Sequence, residues 1–162
     1  MKRQLTVAVI QPQPVLRDLL QHSFTAVPDV ELKWVAQGAK EARDKFDEQP
    51  VDVLVSELDL IDGNGVGLAI SLRTKQPQLG VILLSDTFDQ EDIASIPESS
   101  RSGWRVVRRD EIASMPTFVS EIHAAAAGLG RVPSQAKTAV KVDPAVDELT
   151  PRQLQVLQAL AE

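Results

Sequence analysis

Glu57, Asp59 and Asp62 lie close together in the sequence, and Gly63, Gly65 and Gly67 follow them directly. Clustered carboxylates suit a divalent cation, and closely spaced glycines suit backbone amides folded around a phosphate. The carboxylate spacing is not that of a Ca²⁺ loop, and the glycines lack the dinucleotide fingerprint, so they read as loop flexibility. His22 and His123 are far apart with no ligand-spaced partner, which makes surface helix positions their default. The chain has no Cys, which excludes a disulfide framework, a thiolate metal site and a thiol nucleophile. No nucleophile, base and orienting group recur together, so neither an enzyme nor a bound cofactor is expected. Arg101, Arg105, Arg108 and Arg109 form a basic cluster that reads as a solvated patch balancing local acids.

The elements that must position these residues alternate along the chain. Residues 5–10 form a continuous apolar, β-prone run, as expected of a strand covered on both faces. Val15, Leu16, Leu19, Leu20 and Phe24 recur at helical spacing, and residues 30–36 read as a second strand. Ala39, Ala42 and Phe46 share a helical face that Gln49-Pro50 closes. Val51, Val53, Leu54 and Val55 then form a third strand ending at Ser56-Glu57. After a loop over 58–65 comes a helix carrying Leu68, Ala69 and Leu72. Residues 81–84 and 104–107 form two further strands, and Phe118, Val119, Ile122, Ala125, Ala126 and Leu129 mark a last helix. Between those strands, Pro97 and the polar run 98–102 stop a helix early, so the fourth helix should be short or irregular. Strands alternating with helices predict a parallel sheet with helices on both faces. For five strands the flavodoxin-like order 2-1-3-4-5 leads, with its crevice at the carboxyl ends of the strands.

Composition narrows the function classes. The 162 residues carry a net charge of −6, and an acidic domain is a poor direct binder of nucleic acid. No stretch approaches the ~20 apolar residues of a membrane span. The apolar run after Met1-Lys2-Arg3 is too short for a signal peptide. A cytoplasmic protein with no membrane partner is expected.

The periodicity stops near Gly128, dividing the chain into a domain over 1–128, a linker over 129–148 and a helix start over 149–162. Thr150 is a good N-cap, Pro151 sits at the first helical position, Gln153 completes a capping box, and Leu149 with Leu154 supplies a hydrophobic staple. A lone helix of this length is marginal in water, so the segment is expected to open a second domain. The run Leu149-Thr150-Pro151-Arg152-Gln153, followed by Val156-Leu157 and Ala161-Glu162, resembles the start of the LuxR-type helix-turn-helix. It stops before the element that reads the major groove in such motifs. DNA contact would then fall to a C-terminal domain beyond this sequence.

Residues 3–130 resemble the receiver domain of NarL-like response regulators. The resemblance is carried by Gln13-Pro14-Val15-Leu16-Arg17-Asp18-Leu19-Leu20, by 52–65, by Gln76-Pro77 and by Phe88-Asp89. It implies a pocket of three acidic residues, two holding Mg²⁺ and one accepting a phosphoryl group. The metal-binding pair falls on Gln11 and Pro12, a neutral amide and a residue with no ligand atom. The phosphoacceptor position falls on Glu57, one methylene longer than Asp. Glu57 is read either as an idle carboxylate or as a partial mimic, with one charge against about 1.5–2 for a phosphate. Ser85 matches the hydroxyl residue of the pocket. Arg108, or Arg109 with a shift of one residue, takes the Lys position, which allows an Arg108–Glu57 ion pair in the old pocket. The family's aromatic switch residue falls on Arg105 or Trp104.

The resemblance therefore implies an atypical receiver in a DNA-binding transcription regulator. It would act independently of aspartate phosphorylation, through a homodimer or a protein partner. The alternative is a sensor whose vacated crevice takes a small-molecule effector. A large, partly apolar cavity near Gln11, Glu57 and Ser85 would favour the sensor, and a self-complementary apolar helix face would favour the dimer.

Overall fold

The computed structural model describes residues 4–97, 101–112 and 114–132. The expectations for 133–148 and for Thr150, Pro151 and Gln153 lie outside the described residues. Five parallel strands form the sheet: β1 (Leu5–Ile10), β2 (Val30–Ala36), β3 (Val53–Glu57), β6 (Gly80–Ser85) and β7 (Trp104–Arg108). Their order is β2-β1-β3-β6-β7, the expected 2-1-3-4-5 when the long strands alone are counted. Two further strands, β4 (Asp59–Leu60) and β5 (Gly63–Asn64), form a small antiparallel pair inside the stretch the sequence marks as a loop.

Because the sheet is covered on both faces, alternate residues of each strand enter different cores. Val7 and Val9, Val53 and Val55, Ile82 and Leu84, and Val107 pack with Phe24, Phe118 and Ile122 in one layer. Those three residues belong to α1 (Pro14–Phe24) and α5 (Met115–Ala126). Ala8 and Ile10, Leu54, Val81 and Leu83, and Trp104 and Val106 face the other layer. There they meet Phe46 of α2 (Ala39–Glu48), Leu68 and Leu72 of α3 (Gly65–Lys75), and Ile93 of α4 (Gln90–Ala94). Among the described residues no helix is long and apolar enough to cross a membrane.

The fourth helix has only five residues, as its polar and proline-rich flank suggests. Asp89 and Asp92 form a reciprocal capping box at its start. At its end the Arg101 Nη2 group donates to the carbonyls of Ile93 and Ile96, both at 3.1 Å. A guanidinium thus takes the place of the backbone donors that a longer helix would have supplied.

Two elements differ from the sequence reading. Helix α5 stops at Ala126, because Gly128 takes a φ of +81°, a left-handed turn that closes helices. Leu129 is accordingly outside the helix and exposed. Helix α1 buries Phe24 but leaves much of its apolar set in solvent, with Val15 71%, Leu16 36% and Leu19 56% exposed.

Two glycines of α3 test how tightly the crevice end is packed. A Cβ on Gly65 would lie 2.6 Å from the Glu57 carbonyl oxygen, whereas one on Gly67 would meet only Asn64 Oδ1 at 3.5 Å. Gly67→Ala should raise the unfolding free energy by about 0.5–1 kcal/mol through helix propensity. Gly65→Ala should lower it by about 1–3 kcal/mol, since backbone cannot yield to the clash. Urea unfolding of both variants measures the contrast, and equal effects would show that the Gly65 approach is not restrictive.

Candidate functional site

Strand parity brings the candidate residues together. Gln11 follows β1, and Glu57 ends β3; both continue the alternation that places Val9 and Val55 on the α1/α5 side. Both are 5% exposed, so their polar groups need partners inside the protein. Gln11 Nε2 donates to Glu57 Oε2 at 2.8 Å, while Gln11 Oε1 accepts from the Gln13 amide at 3.1 Å. The second Glu57 oxygen accepts from Arg109 Nη2 in a close ion pair. Arg109 Nη1 also pairs with Asp86 at 3.0 Å, so one guanidinium joins the ends of β3 and β6.

This corrects the expected Arg108–Glu57 pair: Arg109 fills the role. Arg108 follows Trp104 and Val106 in the alternation toward the α2/α3 side, and its guanidinium pairs with Asp110 at 2.8 Å. Arg109 follows Val107 toward the α1/α5 side, where Glu57 lies. Moving one residue along an extended chain reverses the face, and that parity settles the choice.

The remaining expected pocket residues are not assembled. Ser85 Oγ accepts from the Thr87 amide at 3.4 Å, a local turn contact. Trp104 and Arg105 lie opposite Val81 and Ile82 in the β6–β7 register, three or four rungs from Ser85. Trp104 is fully buried beneath the Arg73 guanidinium, and Arg105 donates to Glu121 on α5 at 2.6 Å. Nor do the three loop carboxylates converge. Asp62 accepts from the Ala39 and Lys40 amides at 2.6 and 3.0 Å, capping α2 from another loop, and these bonds lower its pKa.

A magnesium ion does not fit this donor set. Gln11 Oε1 is turned to the Gln13 amide, Pro12 carries no side-chain ligand, and both Glu57 oxygens are taken. The Gln11 and Pro12 carbonyls accept from Arg17 Nη1 at 2.9 and 3.0 Å, placing a side-chain cation on that loop. Among the described residues no group of three or more His, Cys, Asp or Glu is arranged to hold a metal ion.

A groove of about 590 Å³ opens elsewhere, over the α2/α3 side of the β7 end. Phe88, Val106 and Val132 supply its apolar lining, with Arg108, Glu111 and Arg131 around them; Gln11, Glu57 and Ser85 do not line it. The arginine cluster is largely neutralised from within, since Arg105, Arg108 and Arg109 each face a carboxylate and Arg101 caps α4. His123 lies on α5 and meets Asp29 at 2.8 Å through Nε2. The contacts of Arg17 and Asp86 had no motif to announce them, because the partners of Arg17 are backbone atoms and that of Asp86 is far away in sequence.

No protein-family model matches the chain, and no curated protein matches it. Solved structures do. A two-component response regulator of the LuxR family from Aurantimonas sp. SI85-9A1 is 18% identical, with 91% of this chain and 99% of that one covered, at a TM-score of 0.66. The signal receiver domain of the response regulator NarL from Mycobacterium tuberculosis is 16% identical, with coverage of 78% and 99% and a TM-score of 0.65. RcsB from Salmonella enterica serovar Typhimurium, bound to promoter rprA with phosphomimetic BeF3-, is 15% identical, with coverage of 77% and 61% and a TM-score of 0.59. At these identities the likeness is one of fold, and the fold is that of response-regulator receiver domains.

Burial raises the Glu57 pKa above its ordinary value of 4.5, although Arg109 and Gln11 pull it back. The folded chain therefore holds the Glu57 proton to higher pH than the unfolded chain does. Stability contributed at this site falls as pH rises from 4.5 through the folded value. Glu57→Gln should thus be more stable than the parent at neutral pH, with the advantage vanishing below the ordinary carboxylate range. Urea midpoints taken across pH 3–8 test this, and a variant less stable at neutral pH would show that the ion pair outweighs desolvation.

Proposed function

We propose that this chain is the receiver-like module of a DNA-binding transcription regulator, acting without aspartate phosphorylation and without a catalytic step of its own. The observation that carries the reading is the Gln11–Glu57–Arg109 arrangement, in which each Glu57 oxygen already has a hydrogen-bond donor. Phosphoryl transfer to a carboxylate needs a free oxygen and a cation to offset the charge of the incoming group. Both Glu57 oxygens already accept a hydrogen bond, and the cation beside it, Arg109, is shared between Glu57 and Asp86, which supports an idle carboxylate over a phosphate mimic. A cytoplasmic setting goes with this role. DNA would be contacted by a C-terminal domain following 149–162, as the resemblance of that segment to a helix-turn-helix start implies.

The working surface in this reading is α1. Val15, Leu16 and Leu19 form an exposed apolar stripe on a helix whose other side already packs against the sheet. Exposed stripes of this kind commonly mark an interface, and a second copy of the same face makes a symmetric dimer. The alternative, a small-molecule sensor in the crevice, has less support, because the groove beside β7 is lined by none of Gln11, Glu57 or Ser85.

Titration with beryllofluoride and Mg²⁺, followed by amide NMR, should leave the resonances of Gln11, Glu57 and Ser85 in place in the parent and in Glu57→Asp. Saturable Mg²⁺-dependent shifts in the parent would overturn the reading. For the dimer, Leu19→Glu should weaken self-association at least tenfold, about 1.4 kcal/mol, by sedimentation equilibrium. An unchanged association constant would remove α1 from the interface.

A further inference from the structure

We propose that the Glu57–Arg109 pair positions the segment 129–132 beside β7, through the short turn that carries Arg109 and the carboxylate of Glu111. The inference needs the Glu57–Arg109 pair and stands apart from the phosphorylation reading. Arg109, Asp110 and Glu111 form a single 3₁₀ turn, closed by the Ile112 amide donating to the Arg109 carbonyl at 3.1 Å. At one end of the turn the Arg109 guanidinium is held by Glu57 and Asp86, carboxylates at the ends of two different strands. At its other end, Glu111 Oε1 accepts from the Arg108 amide at 3.0 Å and from Arg131 Nη2 at 3.3 Å. Arg109 and Glu111 thus belong to one hydrogen-bonded turn, which links the two groups.

Arg131 is the last paired residue of the described chain. Its amide donates to the Trp104 carbonyl at 2.8 Å, and its carbonyl accepts from the Val106 amide at 3.0 Å, placing it beside β7. Its guanidinium reaches Glu111 on one side and Glu121 of α5 on the other, both at 3.3 Å. Arg105 completes the group, bonding Glu121 and the Leu129 carbonyl. Two backbone bonds at Arg131, the Arg105 bond to the Leu129 carbonyl, two long ion pairs and the packing of Val132 hold this segment at the sheet edge, where local opening needs no global unfolding. Residues 129–132 can thus be docked or released, and the crevice biases the balance through Arg109 and Glu111.

Amide hydrogen exchange on the full 162-residue chain tests this at the Arg131 and Val106 amides. Arg109→Gln and Glu111→Gln should each speed exchange there about fivefold or more, the lower end of coupling between sites. Together they should do no more than the stronger single change, since both break one path. The paired change Glu57→Gln with Arg109→Gln leaves no unpaired buried carboxylate and should speed the same amides equally, while β3 and β6 amides keep their rates. Coupling is reciprocal, so Glu111→Gln should also shift the Arg109 Nε–H resonance. The proposal is overturned if the paired change leaves Arg131 exchange unaltered, or if the Arg109 and Glu111 effects simply multiply. Should β3 and β6 amides quicken too, the Arg109 resonance decides, and an unmoved signal overturns the proposal.

Discussion

A carboxylate at the end of a fully buried strand cannot stand alone, and much of the upper end of this sheet follows from that. All five residues of β3 are buried, Glu57 included. An unpaired charge there would be driven toward its neutral form, so the surroundings must offer donors. They do so from two directions, an amide after β1 and a guanidinium after β7, and that guanidinium also donates to a second carboxylate after β6. The result ties together the ends of four adjacent strands' worth of chain with side chains alone. It also uses the oxygen atoms that a metal or a phosphoryl group would need.

The same principle, a loop or helix end held by a side chain from another segment, recurs elsewhere in the fold. Asp62 caps α2 from the loop after β3, and Arg101 takes over the carbonyls at the end of a helix cut to five residues. Arg17 holds the carbonyls of the loop after β1. Each contact fixes a loop onto an element that is already packed, so the carboxyl ends of the strands are pre-organised rather than open. What remains available lies outside the crevice: the apolar stripe of α1 and the groove where Phe88 and Val132 flank Val106.

Much of the fold was legible in the residues themselves. Apolar runs at 5–10 and 81–84, helical spacing through Ala39, Ala42 and Phe46, and Pro97 after a short helix are local signals, and the elements stand where they indicated. Local spacing also identified α1 as a helix, but it could not say which apolar residues would be covered. Val15, Leu16 and Leu19 differ from Phe24 in what packs against them, and that is decided by which part of the helix faces the sheet. Leu129 was likewise placed on the last helix by spacing, until the left-handed backbone of Gly128 ended it.

The candidate site divides in the same way. Residue types alone determined that Gln11 and Pro12 are poor metal ligands and that Glu57 is longer than the expected Asp, because ligand chemistry resides in the side chain. Whether Arg108 or Arg109 reaches Glu57 depended on strand parity, which is known only once the register of β7 is set against β6. That Gln11 turns its amide to Glu57, that Asp86 shares Arg109, and that Glu111 touches Arg131 are decided by tertiary structure. These partners are separated by up to 52 residues along the chain, and no local rule brings them within 4 Å. Only the closing of the parallel sheet does so, by gathering the ends of distant strands at one edge.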